Sequence, residues 1–176
     1  QLLGETTDAN NYSRQMNKVK EGYNRCWNGY AYRHPEYNDC TDDRVQALAV
    51  VSGIAEQDKY PYIIDLFKKQ FYASPYMEKY VMEALFVMGE GKYAMERMQK
   101  RFAPMVNHPF YTTLFEGWDI GPNGFGGGTV NHAWSGGPLI VIARYVCGIE
   151  PLDAAYKTFR IAPDDTYLHQ AAITIP

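Results

Sequence analysis

One segment in the first third of the chain is apolar on every side. Residues 45–55 read Val-Gln-Ala-Leu-Ala-Val-Val-Ser-Gly-Ile-Ala, with glutamine as the one long polar side chain. A helix that is apolar all round is buried all round, because no face of it suits water. The segment therefore predicts an inner helix that other elements surround.

The segments around it carry apolar residues on one face only. Apolar side chains recur every three or four residues in 8–27, 61–71, 74–89 and 92–103, which predicts amphipathic helices. Ser74 and Pro75 predict a helix start, Gly89 suits the position after a helix end, and Pro104 predicts a stop. Pro138 opens a last apolar helix that ends near Gly148.

Helices joined by short turns pack as antiparallel hairpins. Alternation of buried and amphipathic helices predicts a double-layered helical ring. After about residue 150 the pattern changes, and residues 156–161 and 171–175 resemble short strands. The sequence therefore predicts a mainly α fold, with a helical domain over residues 1–150 and the start of a β region over residues 151–176.

Composition narrows the classes of partner. The 17 basic and 20 acidic residues give a net charge of −3 without a basic run, which argues against nucleic acid as a partner. No window of 18 residues is apolar throughout, so no membrane span is predicted. Cys26, Cys40 and Cys147 are too widely spaced for a zinc motif, and no metal or cofactor is expected.

The segment 112–138 concentrates residues that can do chemistry. It holds two acids (Glu116, Asp119), two tryptophans (Trp118, Trp134) and His132, interleaved with glycine. Aromatic rings beside acids on glycine-rich backbone suit the binding and hydrolysis of a sugar. This segment is therefore the predicted functional site.

Each of these residues also has a structural alternative. Trp118 and Trp134 either stack on a sugar ring or pack in the core, and Asp119 either binds sugar hydroxyls or supports the loop by an Asx turn. The glycine run at 124–128 lacks the lysine of a phosphate loop and is better interpreted as a mobile rim. Upstream, Thr41 is a plausible N-cap, and the acids at 42–43 either cap the inner helix or form an ion pair at the pocket floor.

An ordered set of segments resembles the bacterial α-L-rhamnosidases of glycoside hydrolase family 78. Asp-Asp-Arg-Val-Gln-Ala-Leu at 42–48, Tyr-Ala-Ser-Pro-Tyr-Met at 72–77 and Thr-Thr-Leu-Phe-Glu at 112–116 are similar to segments of that family. Asn-His-Ala-Trp at 131–134 and Gly-Ile-Glu-Pro at 148–151 follow in the same order. The resemblance covers nearly the whole chain.

The resemblance implies a fold and a mechanism. The family's catalytic domain is an (α/α)6 toroid of roughly twice this length, of which this chain would be the C-terminal half. Glu116 corresponds to the general base of an inverting hydrolase of terminal α-L-rhamnosides, and His132 to a sugar-contacting residue. Phe115 stands where the family usually has tryptophan. The general acid lies in the N-terminal half, so this chain alone is expected to be inactive.

The resemblance also bears on partners and location. A rhamnose-containing oligosaccharide or glycoside is the expected ligand, and the face left open by the missing half is expected to favour self-association. The compartment stays open, although export is common in the family.

Two alternatives remain beside the enzyme. A non-catalytic carbohydrate-binding module would keep the aromatic residues and tolerate loss of Glu116. A purely structural helical module would leave Glu116 exposed to solvent and far from His132. The distance between these two side chains therefore discriminates between the enzyme and the structural module.

Overall fold

The computed structural model describes residues 3–120, 128–164, 168, 170 and 172–174. This part of the chain is mainly helical and includes a small antiparallel sheet. The α-helices are α1 (Thr6–Asn24), α2 (Asp43–Val51), α3 (Tyr60–Lys69), α4 (Pro75–Val87), α5 (Gly91–Val106) and α6 (Gly137–Val141). A π-helical segment, Ile142–Val146, continues α6, and the strands are β1 (Ile149–Pro151) and β2 (Phe159–Ile161).

Side-chain caps fix the starts of two helices. Asp42, rather than the predicted Thr41, is the N-cap of α2, and its Oδ1 accepts from the Arg44 amide at 2.8 Å. Ser74 caps α4 as predicted, and Pro75 occupies the first turn, where its missing N–H costs nothing.

Glycines end α2 and α4 in the same way. Gly53 and Gly89 have φ of +71° and +82°, the left-handed conformation that glycine adopts without strain. At each end, two backbone hydrogen bonds return to the last turn, as in a Schellman motif. This geometry confirms the prediction that Gly89 follows a helix end. It also ends α2 at Val51, before the end of the apolar run at residue 55.

Two predicted helix boundaries are wrong. Pro104 lies inside α5 instead of ending it, because the proline is on the exposed side of the last turn, where water can replace the hydrogen bond it removes. α1 ends at Asn24, so Trp27 lies beyond the helix and forms an isolated bridge with Tyr32.

α4 is the centre of the fold. It packs against α2 on one side and against α5 and α6 on the other. Val81, Ala84 and Leu85 join an apolar cluster with α2 and α3, while Met82 joins a second cluster with α5 and α6. The predicted inner helix α2 is less enclosed, since Leu48 and Val51 are exposed, which corrects the expectation of all-round burial.

A buried ionic cluster ties α2, α4 and α5 together. Arg97 donates to Asp43 Oδ2 at 2.8 Å and to Glu78 Oε1 at 2.5 Å, and all three side chains are fully buried. Its Nη1 also donates to the Phe67 carbonyl at 2.5 Å. Burial raises the pKa of Asp43 although the Arg97 charge opposes the shift. Of the two acids at 42–43, Asp43 thus forms the ion pair, with Arg97, and Asp42 caps α2.

The β region is only partly as predicted. β1 pairs with β2 in antiparallel register, from Ile149 opposite Ile161 to Pro151 opposite Phe159. The predicted strand at 156–161 is shorter because Tyr156 has a positive φ of 54°. Residues 172–174 are not in a strand, and the ends of that predicted strand, 171 and 175, lie outside the described residues. The predicted domain boundary after residue 150 falls within β1.

Helices long and apolar enough to cross a bilayer are not found among the residues that the structure describes.

Candidate functional site

Two segments on either side of the glycine-rich loop lie side by side. The Glu116 amide donates to the Thr129 carbonyl at 2.9 Å, and the His132 amide donates to the Leu114 carbonyl at 2.9 Å. These hydrogen bonds bring the acid and the histidine, which are far apart in sequence, to the same place. Residues 121–127, which include all of the predicted rim loop at 124–128 except Gly128, lie outside the described residues.

The core fixes the position of both segments. Phe115 is buried in the cluster between α4, α5 and α6, and its carbonyl accepts from Ser135 Oγ at 2.6 Å. Ser135 is itself buried in the short 3₁₀ turn Ala133–Gly136. Because their neighbours are anchored, Glu116 and Trp134 are held at the surface of a packed core rather than on free loops.

The Glu116 carboxylate is held on one oxygen. Glu116 Oε2 accepts from the Thr129 amide at 3.2 Å and from the Thr129 hydroxyl at 3.3 Å, and it lies 3.7 Å from His132 Nδ1. The side chains of Glu116 and His132 are 20% and 32% exposed. The structural alternative expected the acid in open solvent and far from the histidine, and the structure shows neither.

Thr129 links the histidine to the acid. Its Oγ1 lies 2.8 Å from His132 Nδ1, so a hydroxyl proton directed to Glu116 lets Thr129 accept from Nδ1–H. In that tautomer the neutral imidazole presents Nε2 as an acceptor for a ligand hydroxyl. The sequence analysis did not identify Thr129, and the signal available for it was a hydroxyl residue three positions before His132.

Trp134 completes this arrangement. Its ring centroid is 4.3 Å from that of His132, and its Nε1 donates to the Glu116 carbonyl at 3.3 Å. The indole remains partly exposed. Glu116, His132 and Trp134, predicted as members of one site, are therefore in mutual contact.

Trp118 is placed differently. Its Nε1 donates to the Ala73 carbonyl at 2.7 Å, its ring meets Phe102 edge-on at 5.0 Å, and the Arg101 guanidinium lies 4.1 Å above it. These contacts favour the packing alternative for Trp118. Asp119 follows it on the exposed surface, and its suggested role toward sugar hydroxyls stays a prediction.

The donor groups suit an organic ligand. Over the described ranges, no three His, Cys, Asp or Glu side chains are grouped so that they could hold a metal ion. The site offers a carboxylate, an imidazole, a hydroxyl and an indole, which together provide hydrogen bonds and a flat apolar surface.

Comparison with models of known protein families gives no match, and comparison with curated proteins gives no significant match.

Proposed function

We propose that this chain is the C-terminal half of an (α/α)6 toroid that hydrolyses terminal α-L-rhamnosides with inversion, and that Glu116 is the general base. The observation that supports this best is the 3.7 Å approach of Glu116 Oε2 to His132 Nδ1, beside Trp134. The sequence predicts a sugar site at these residues, and the contacts among Glu116, His132 and Trp134 support that prediction.

The arrangement of the carboxylate suits activation of water. Among the described residues, hydrogen bonds reach Oε2 and leave Oε1 available. Oε1 would take a proton from water while the water oxygen forms a bond to the anomeric carbon. The bond to the leaving oxygen breaks at the same time, and a general acid protonates that oxygen.

The second carboxyl group belongs to the other half of the ring under this proposal. An inverting pair is separated by about 6.5–9.5 Å, which leaves room for the water. We therefore expect this chain alone to leave methyl α-L-rhamnopyranoside uncleaved, because its methoxy leaving group must receive a proton from the general acid. Turnover by the chain alone would show that the acid is not missing.

The surface beside Glu116 supports the proposal of a 6-deoxy sugar as the ligand. Rhamnose carries a methyl group where most hexoses carry a hydroxymethyl group, so one side of it is apolar. Trp134 offers an apolar plate, and His132 Nε2 can accept from a ring hydroxyl. A 6-deoxy sugar matches that combination.

The direct test is a kinetic comparison in a protein that joins this chain to the preceding helical half. Glu116→Gln keeps the hydrogen-bonding shape and removes the base, so kcat should fall by about 10²–10⁴-fold with little change in glycoside binding. Glu36→Gln, at an exposed acid on another loop, is the control. A wild-type kcat for Glu116→Gln would exclude it as the base. Binding without turnover in the unmutated joined protein would favour the carbohydrate-binding module.

A further inference from the structure

A second aromatic ring lies beside Trp134. Tyr76, in the first turn of α4, has its ring centroid 5.3 Å from that of Trp134, with 33° between the planes. The two residues are exposed to the same degree, 39% for Tyr76 and 38% for Trp134. Two large aromatic residues from distant parts of the chain therefore share one open surface.

This surface runs up to the carboxylate. Trp134 contacts the His132 ring at 4.3 Å on the side of the site, and its indole nitrogen donates to the Glu116 carbonyl at 3.3 Å. Tyr76, Trp134 and His132 form a continuous row of rings that ends at Glu116. We call the pair Tyr76 and Trp134 the aromatic wall.

The wall has a polar edge. Tyr76 Oη lies 3.4 Å from Tyr80 Oη, and the Lys79 ammonium lies 4.8 Å from the centre of the Tyr80 ring. A pyranose has the same division, with C–H groups on its faces and hydroxyls around its rim. An aromatic plate bordered by hydroxyls therefore complements a sugar better than it complements a wholly apolar ligand.

The wall is also held in place before any ligand arrives. Ser74 caps the helix beneath Tyr76, and buried Glu78 fastens the same turn to Arg97. On the other side, the backbone after the Trp134 turn runs against α4, where a Cβ at Gly137 would lie 2.7 Å from Lys79 Cβ. Rings fixed in this way lose little conformational freedom when they bind.

We propose that Tyr76 is a further sugar-contacting residue, which with Trp134 stacks on the apolar face of the pyranose bound at Glu116. The inference rests on the proposed function, because that function makes the ligand a sugar. It deepens the function by assigning to α4 a direct part in binding, beyond the amphipathic helix that the spacing of its apolar residues predicts.

The experiment is an NMR titration of the chain with methyl α-L-rhamnopyranoside and, separately, methyl α-D-mannopyranoside. The Tyr76 ring resonances, assigned by comparison with Tyr76→Phe, should shift on titration of the wild-type chain. Tyr76→Ala should weaken binding by roughly three- to tenfold, and Tyr76→Phe, which keeps the ring, should bind within about twofold of wild type. Circular dichroism checks that each variant is folded.

The matched control is Tyr62→Ala. Tyr62 is 48% exposed, and its ring centroid lies 6.1 Å from that of Trp27, with the two rings edge to face. Tyr62 and Trp27 therefore form another tyrosine–tryptophan pair elsewhere on the surface. This variant should bind as the wild type does. A rhamnoside Kd equally weakened by Tyr62→Ala and Tyr76→Ala would overturn the assignment.

The remaining outcomes separate the two proposals. If Trp134→Ala abolishes rhamnoside binding, Tyr76→Ala leaves the Kd unaffected and the Tyr76 resonances of the wild-type chain do not shift on titration, the role of Tyr76 is wrong and the proposed function stands. If the mannoside alone binds, and does so through Tyr76, stacking is upheld and the rhamnoside function is rejected. Binding of neither glycoside overturns both.

Discussion

Asp42 combines a helix cap with an ion pair. Its carboxylate accepts from the Arg44 amide at 2.8 Å and is also bonded by the Arg44 guanidinium. Burial would raise the pKa of Asp42, but the hydrogen bonds from Arg44 outweigh burial and hold the pKa below the ordinary value of 3.8. A carboxyl whose pKa is lower in the folded chain than in the unfolded chain stabilises the fold when it is ionised.

We predict a pH-dependent loss of stability in Asp42→Asn. This variant keeps a capping oxygen and loses the charge, so its deficit in unfolding free energy should be fully present above the ordinary carboxyl pKa. The deficit should disappear as the pH falls through the lowered pKa of Asp42. Asp42→Ala, which also loses the cap, should cost about 1 kcal/mol more. Urea unfolding at a series of pH values measures this, and a deficit that persists in strong acid would refute the assignment.

The proximity of side chains at the site was predictable from sequence, whereas the packing of individual aromatic rings was not. Glu116, His132 and Trp134 could be grouped because they flank one glycine-rich loop. Trp118 belongs to the same segment, yet its partners Ala73 and Arg101 come from other parts of the fold. Those long-range contacts determine whether Trp118 packs in the core or is available to bind a ligand, and no local sequence pattern predicts them.

The contact between α4 and α6 depends on a missing side chain. A Cβ at Gly137 would meet Lys79 Cβ at 2.7 Å, whereas a Cβ at Gly136 would have no heavy atom within 4 Å. The two neighbouring glycines therefore differ in the space available for a side chain, so alanine at position 136 is a matched control for alanine at position 137.

We predict that Gly137→Ala destabilises the chain by about 1–3 kcal/mol, because the helices must move apart to accommodate the methyl group. Gly136→Ala, which has a negative φ of −73° and open space, should stay within about 0.5 kcal/mol of wild type. Thermal unfolding compares them. Equal stability of the two variants would show that α4 and α6 are not in close backbone contact.

Arg97 of α5 pairs with Asp43 of α2 and with Glu78 of α4, so it joins the three helices within the buried cluster described above. We predict that Arg97→Met destabilises the chain by about 3–5 kcal/mol, since it removes the ion-pair partner of the buried Asp43 carboxylate and leaves Glu78 paired with Arg101 alone. Lys100→Met, on the exposed side of the same helix, should change stability by about 0.5 kcal/mol or less. Chemical denaturation distinguishes them, and a small effect for Arg97→Met would contradict the importance of the cluster.

Local sequence signals predicted where the helices lie more reliably than where each helix begins and ends. Ser74 and Gly89 act locally, so the bounds of α4 were predictable. No π-helical segment was predicted from the sequence after α6, and the short strand β1 depends on a partner beyond an intervening turn. The ionic cluster was missed for the same reason, because its charges lie on three separate helices.

Apolar surface remains open on the whole molecule. Leu48 is 45% exposed on α2, and α1 has no buried residue. A groove of about 560 Å³ between α5 and α6 is lined almost wholly by apolar groups, among them Val106 and Leu139. The sequence pattern of α2 predicted burial on every side, and the proposed toroid would supply the missing cover.

We predict that the isolated chain self-associates and that the exposed apolar face of α2 takes part. Light scattering should show a mass that rises with protein concentration, and Leu48→Glu should reduce the association by placing a charge on the α2 face. Phe110→Glu adds the same charge at an exposed apolar residue beyond the end of α5 and serves as the control. A monomer at all concentrations would argue against an open face.

We propose that Glu116, His132 and Trp134 form one sugar-binding site. The most direct measurement is a crystal structure of the chain with methyl α-L-rhamnopyranoside. We expect a pyranose ring against the Trp134 indole, with its anomeric carbon facing the Glu116 carboxylate and a hydroxyl within hydrogen-bonding distance of His132. Glycoside bound elsewhere, with these three side chains untouched, would contradict it.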